Sequence, residues 1–142
     1  MNRDNRRVGL LRRLGAMLYD SLAAFSVLFI ADALVVIPLQ ALWGIESIGK
    51  HPLFQLYQLV VIYVFFAWFW VHGGQTLGLR AWRIRVVRED GAPLHWSDAA
   101  KRFAAAILSW LPLGAGFLWA AFDRQGLAWH DRMSRTRLEH AA

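Results

Sequence analysis

Three charged residues in apolar surroundings are the positions at which this sequence could do chemistry. Asp20 lies inside the run "RRLGAMLYDSLAAFSVLFIADALVVI", which starts at Arg12 and is otherwise apolar after its two arginines. A carboxylate at the centre of a membrane helix costs roughly 2.5–3.5 kcal/mol on insertion scales, so it must face protein or a wet cavity and have a partner. Two chemistries suit such a group: exchange of a proton or cation, or a buried ionic latch. Arg13 stands seven residues before Asp20, about 10 Å along a helix axis and on the same face. A direct bond across that gap strains even an Arg, so a better partner comes from another segment. Asp131, in "RQGLAWHDRMSRT" near the other end of the chain, fits that role. The expectation is that Arg13 bridges Asp20 and Asp131. Arg12 is a second candidate for the Arg position. Asp32 and Glu46 could form an outer acidic mouth, and His130 could orient or cap Asp131.

Other chemistries find no support. The chain has no Cys, which excludes a disulfide framework, a thiolate zinc site and a Cys nucleophile. His51, His72, His95 and His130 lack metal-ligand spacing, and no Ser has the context of a nucleophile. Gly73-Gly74 and the glycines at 114 and 116 precede no Lys-Ser/Thr, so they are turns rather than phosphate loops. No pair of inward His residues suggests haem. No metal, no cofactor and no enzymatic activity are expected.

The elements that position these residues are set by apolar patterning. Hydrophobic residues make up 57% of the 142 residues, charged residues only 18%, and Trp numbers 8. A soluble domain is nearer 25% charged, so a membrane is the simplest explanation. The net charge of +6 does not point to nucleic acid, because the basic residues fall in blocks flanking the apolar stretches. The basic start and long apolar run read as an uncleaved anchor rather than a signal peptide. The expected fold is an all-α, multi-pass membrane bundle in a single domain, residues 1–142. Long spans cover about 14–37, closed by Pro38, and 53–71, with Trp68 and Trp70 as an interfacial belt. A broken helical pair follows at about 99–111 and 113–122, split by "LPLGAG", since Pro removes a helix hydrogen bond. Two readings compete for this pair: one straight kinked span, which would place the four C-terminal arginines outside, and a re-entrant pair, which keeps them on the same side as the other basic blocks and is favoured for that reason. Residues 76–96 alternate Trp82, Ile84 and Val86 with Arg83 and Arg85, which predicts a short β-hairpin pairing back through "LHW". Ser97-Asp98 would cap the helix after it. The last segment reads as a polar tail with a short helix, and no internal repeat is evident. Both termini and the hairpin are expected in the cytoplasm, in a plasma (inner) membrane. The expected partners are the bilayer with its anionic headgroups and a second copy or a membrane partner protein; nucleic acid is not expected.

Three stretches together carry a family resemblance: "RRLGAMLYD", "GQTLGLRAWRIRVV" and "RQGLAWHDRMSRT". In this order and spacing they resemble the RDD family of membrane proteins, over about residues 12–136. The resemblance implies that Arg13 is the family's Arg and that Asp20 and Asp131 are its two Asp. It also implies a transport-related role, with sodium–proton antiport suggested for some members. Two positions depart from the pattern: Leu79 stands where the family often has Lys, and Arg135 where Gly is common. The usual Val-rich end is here "RLEHAA".

Overall fold

A computed structural model describes residues 8–44 and 47–141. Helix α1 (Leu10–Trp43) is followed by a single 3-10 turn and α2 (Pro52–Val71). Next come a five-residue helix, α3 (Leu77–Ala81), and strand β1 (Ile84–Arg88). The order then repeats with α4 (Trp96–Trp110), α5 (Ala115–Phe122), the five-residue α6 (Trp129–Met133) and β2 (Thr136–His140). The molecule is mostly helical, and α1 and α2 are long and apolar enough to cross a membrane. Their large apolar side chains point outward: Leu22, Phe25, Phe29 and Leu34 on α1 are all more than 60% exposed. Inside-out patterning of this kind suits a lipid solvent, in which packing replaces the hydrophobic effect between helices.

Helix α1 does not stop at Pro38. Pro38 lies inside the helix, which ends at Gly44 in the left-handed region; five further residues follow the Pro before that stop. At 1.5 Å per residue the 34-residue helix is about 50 Å long. It pairs with α2 through Tyr57, whose hydroxyl donates to the Ala31 carbonyl, and Gln58, whose Nε2 donates to Asp32 Oδ2 at 2.7 Å. Counting down from the Asp32–Gln58 contact, Asp20 and Trp70 are each about 18 Å away along their helices. Asp20 therefore lies level with the end of α2, beside α3, and not deep within the apolar pair.

Helices α4 and α5 meet at 96° across residues 111–114. Leu113 and Gly114 both take positive φ there, 54° and 80°. The broken helical pair is thus an elbow, neither a straight span nor a closed antiparallel hairpin. Gly116 sits against Ser109 with no room for a Cβ, the close approach that small residues permit. Helix α4 begins at Trp96, earlier than a Ser97-Asp98 cap implies, because the Asp98 carboxylate reaches back to the His95 backbone N–H at 3.0 Å.

The expected local hairpin within 76–96 does not form. β1 pairs instead with β2 at the far end of the chain, antiparallel, with Val86 opposite Leu138. After Arg88 the chain turns at Gly91 and enters α4, so "LHW" supplies a buried Leu94 and a helix start rather than a return strand. Ile84 and Val86 from β1 and Leu138 from β2 join one apolar core with Ala16, Ala67, Trp70, Leu79 and Ala99. Trp70 is accordingly a core residue, 8% exposed, not part of an interfacial belt.

The chain also contains a repeat that composition does not reveal. Residues 74–88 and 126–140 have the same build. Each opens on a Gly with φ near +70° (Gly74 and Gly126), forms a five-residue helix, passes through an Arg with φ near +50° (Arg83 and Arg135), and ends in a five-residue strand. Arg80 and Arg85 of the first copy match Arg132 and Arg137 of the second. The strand pairing is symmetric about Val86 and Leu138, which are matching positions. The likeness extends upstream. Arg13, Ala16 and Asp20 on α1 are spaced as Arg102, Ala105 and Ser109 on α4, and all six are buried. Helix α1 packs on α3 as α4 packs on α6. Each half is thus two helices, a five-residue helix and a strand, with the helices of the second half cut to 15 and 8 residues.

Candidate functional site

The charged cluster forms where the two halves meet. Asp131 sits in the first turn of α6, and its Oδ2 accepts from the Ala128 backbone N–H at 3.0 Å. That is the carboxylate position favoured at a helix start, where free N–H groups point outward. The same oxygen accepts from Arg13 Nη1 at 2.9 Å, and Oδ1 accepts from Arg102 Nη1 at 2.7 Å. Asp131 is 0% exposed, Arg13 7% and Arg102 4%. Each guanidinium has a further anchor. Arg13 Nη2 donates to the Gly126 carbonyl at 2.5 Å, and Arg102 Nη1 donates to Thr136 Oγ1 at 2.6 Å. Arg102 also lies over the Trp70 ring, 5.3 Å from its centroid, a cation–π contact strengthened by burial. Burial alone would raise the Asp131 carboxyl, but Arg102, with His130 and Arg13, holds it well below the usual carboxylate range.

Asp20 is not part of this cluster. Its Oδ2 accepts from the Thr76 hydroxyl at 2.5 Å and its Oδ1 from the Gly78 backbone N–H at 2.7 Å. Thr76 is the N-cap of α3 and its hydroxyl oxygen also accepts from the Leu79 N–H. Asp20 therefore binds the start of α3 as Asp131 occupies the start of α6. Among the described residues no Arg pairs with Asp20, so the expected Arg13 bridge between the two Asp does not exist. The distance along α1 is the reason: Arg13 is two turns nearer the sheet and reaches across to α6 instead. Gly78 fits because a Cβ there would collide with the Ala16 carbonyl and with Asp20.

The secondary candidates separate as well. Arg12 is exposed and meets the ring of His140 on β2 at 3.1 Å. Asp32 is held by Gln58 within the α1–α2 pair, about 9 Å inside the end of α2, with its Oδ1 buried and unpartnered among the described residues. Among the described residues it is the carboxylate that lies deepest between the apolar helices; the expected acidic mouth also needs Glu46, which falls outside the described residues. His130 Nε2 is 3.5 Å from Asp131 Oδ1. Burial, and then the adjacent Arg102 guanidinium, push His130 down to about 3. The ring is therefore neutral at physiological pH.

Three members of the site were missed by sequence reasoning: Arg102, Thr76 and Thr136. Arg102 had a signal, since Ala99, Arg102, Ala105 and Ser109 form one buried stripe of α4. An Arg on a stripe of small residues demands a buried anion. Thr76 precedes "LG" as a cap would. Thr136 needed knowledge of β2.

Above the cluster, α1, α2, α4 and α5 line a half-open cavity of about 370 Å³, with Arg13, Asp20, Arg102 and His130 at its polar end and Ile62, Phe66, Ile107, Trp110 and Phe117 along its walls. Among the described residues no group of His, Asp and Glu could hold a metal ion. No curated protein and no solved structure matches this chain. A family model does match, over residues 7–135, and it includes Arg13, Asp20 and Asp131: the chain belongs to the RDD family of membrane proteins.

Proposed function

We propose that this chain is a multi-pass inner-membrane protein, with both termini cytoplasmic, that acts as a non-catalytic membrane scaffold or accessory subunit. In this reading Arg13, Asp131 and Arg102 are its structural latch. The observation that carries it is the enclosure of Asp131: two guanidiniums and a helix N–H take three of its roughly four acceptor positions, His130 Nε2 stands 3.5 Å from Oδ1, and the residue has no exposed surface. A carboxylate that exchanges ions in a transport cycle needs access and must release its counter-charges, and Asp131 is inaccessible and held by two guanidiniums. The blocks of Arg around the sheet end of the bundle favour the cytoplasmic side. Exposed Arg80, Arg83 and Arg135 suit anionic headgroups, each worth about 1 kcal/mol near such a surface. A second copy or a partner protein could cover the outer flank of the short α4–α5 elbow.

The transport reading keeps one specific support. Asp20 faces the polar end of the cavity and has no cationic partner among the described residues. Cation or proton flux in inverted vesicles, comparing wild type with Asp20→Asn, separates the two. The scaffold reading expects no protein-dependent flux in either and a less stable mutant. Wild-type flux that vanishes in a mutant of unchanged stability would overturn it. A C-terminal reporter fusion active only outside the cell would overturn the topology.

A further inference from the structure

The two-stranded sheet has one face in the core and one turned away from it. Ile84, Val86, Thr136 and Leu138 are buried. The residues between them, Arg85, Val87, Arg137 and Glu139, therefore stand on the other face, as the two-residue period of a strand requires. The inner face packs with Ala16, Ala67, Trp70 and Ala99. Each of these lies within about 9 Å of a helix end: the start of α1, the end of α2 and the start of α4. The sheet thus lies across one end of the bundle. On the topology proposed above, its outer face looks away from the bilayer into the cytoplasm. Arg85 and Arg137 hold the same position in the two repeats. Arg85 stands opposite Glu139, and Arg137 opposite Val87. The two arginines are therefore diagonal neighbours, roughly 7–8 Å apart. Among the described residues Arg85 has no ion pair, and Arg137 has only a loose one, 3.7 Å from the partly exposed Glu139. The exposed Arg83 and Arg135, at the two ends of the ladder, add to the positive field.

We propose that this outer face docks an extended acidic segment of a soluble protein, with carboxylates two residues apart. The proposal rests on the scaffold reading and names the class of its partner. Along an extended chain, side chains two residues apart recur about every 7 Å on one side, which matches the diagonal from Arg85 to Arg137. Each guanidinium presents a fork of N–H donors that fits a carboxylate. Charge and orientation select the occupant. The first seven residues of the chain carry three arginines against one aspartate, the sign that this face repels. A second copy in the same bilayer turns its sheet the same way, so the two outer faces do not meet. Lipid headgroups lie on the opposite side of the sheet.

Fluorescence anisotropy tests this with the full chain in nanodiscs of phosphatidylcholine, which leave both sides open to solution. The probe is a dye-labelled octapeptide of alternating Glu and Thr. Its competitors are an octapeptide of equal charge with the acids in adjacent pairs (Glu-Glu-Thr-Thr, twice) and oligothymidylate. The expected result is saturable binding of the alternating peptide, tighter than the paired one by about fivefold or more. Arg85→Gln with Arg137→Gln should weaken it by about tenfold or more. Arg80→Gln with Arg124→Gln, which removes the same charge from exposed sites outside the sheet, should leave it unchanged. Val87→Glu sets an acid of the chain's own opposite Arg137 and should weaken binding as the double variant does. Thermal melts check folding; if the Arg85 and Arg137 variant does not fold, Val87→Glu and the peptide preference still decide. Equal binding of the paired peptide, or an equal loss in the Arg80 and Arg124 variant, would show diffuse attraction rather than a docking face. Tighter binding of oligothymidylate would make it a nucleic-acid surface. Each of these results, or no saturable binding, overturns the proposal, while the scaffold reading is judged separately by the flux measurement.

Discussion

Asp131 stands between two arginines from different halves, and its removal affects both. Asp131→Asn leaves two guanidiniums buried and facing each other, and breaking a buried pair in this way costs about 3–5 kcal/mol. Arg13→Gln should cost less, because Arg102 still neutralises the carboxylate. Since the residues touch, the double mutant should fall short of the sum of the singles by about 1–3 kcal/mol. Thermal melts in detergent that show simple additivity would mean that Arg13 and Asp131 are not coupled. His130 gives the site its own pH dependence. Its folded value near 3 lies below the unfolded value of about 6.5, so the unfolded chain binds the proton more readily between those limits. Stability should therefore be full above about pH 6.5 and fall as the pH drops towards 3, by up to several kcal/mol. Asp131 adds to this only below about pH 4, where its unfolded form begins to protonate. The test is the slope of melting temperature between pH 6.5 and 4.5: it should flatten in His130→Phe, and an unchanged slope would assign the acid sensitivity to other groups.

At the scale of elements, the short helix–strand units are held by left-handed residues that are not glycine. Arg135 has φ 51° immediately before β2, at the position where the family resemblance places Gly. A left-handed conformation costs an L-residue about 1–2 kcal/mol, part of which Gly returns through its greater unfolded-state freedom. Arg135→Gly should therefore stabilise the protein by about 0.5–1 kcal/mol, seen as a higher melting temperature. A lower one would mean that the Arg side chain makes a contribution larger than the strain. This junction also shows what the sequence could disclose. The two long helices were legible because each is a long apolar run with little charge, a signal local to one segment. The Arg13–Asp131 partnership was legible because a buried charge must have a partner and few were on offer. Strand β1 was recognised from its alternation, but its partner was not, because turn residues at 89–93 suggested a local return and the true partner lies at the other end of the chain. The alternation in "TRLEH" is only five residues long, below what distinguishes a strand from a tail. Asp20 was misassigned for a related reason. Its partners, a Thr hydroxyl and a glycine amide on α3, carry no charge that a search for counter-ions would find, and α3 itself was read as part of a hairpin.

The whole molecule is two unequal copies of one plan joined through a shared sheet and a shared carboxylate. The first copy supplies the two helices that are each long and apolar enough to cross a membrane; in the second, α4 and α5 reach that length only together, as a bent pair. What joins them is specific: β1 with β2, α2 with α4, and Arg13 from the first half with Asp131 from the second. The connection between the halves, at Asp90-Gly91-Ala92-Pro93, is exposed and contributes no buried side chain. Loop tips of this kind tolerate cutting. A chain divided after Gly91 and expressed as two pieces should reassemble in the membrane, the second piece being recovered with a tagged first piece. The interface alone must then supply the affinity, so removing one charge has a larger visible effect than in the intact chain. Losing about 3 kcal/mol at Asp131 corresponds to more than a hundredfold weaker association. The Asp131→Asn second piece should fail to co-purify, while Arg124→Gln, an exposed residue outside the latch, should co-purify as wild type. Recovery of the Asp131→Asn piece at the wild-type level would show that the sheet and helix packing hold the halves together without the latch. Failure of the wild-type pieces to associate would show that the continuous chain, not the interface, joins the two halves.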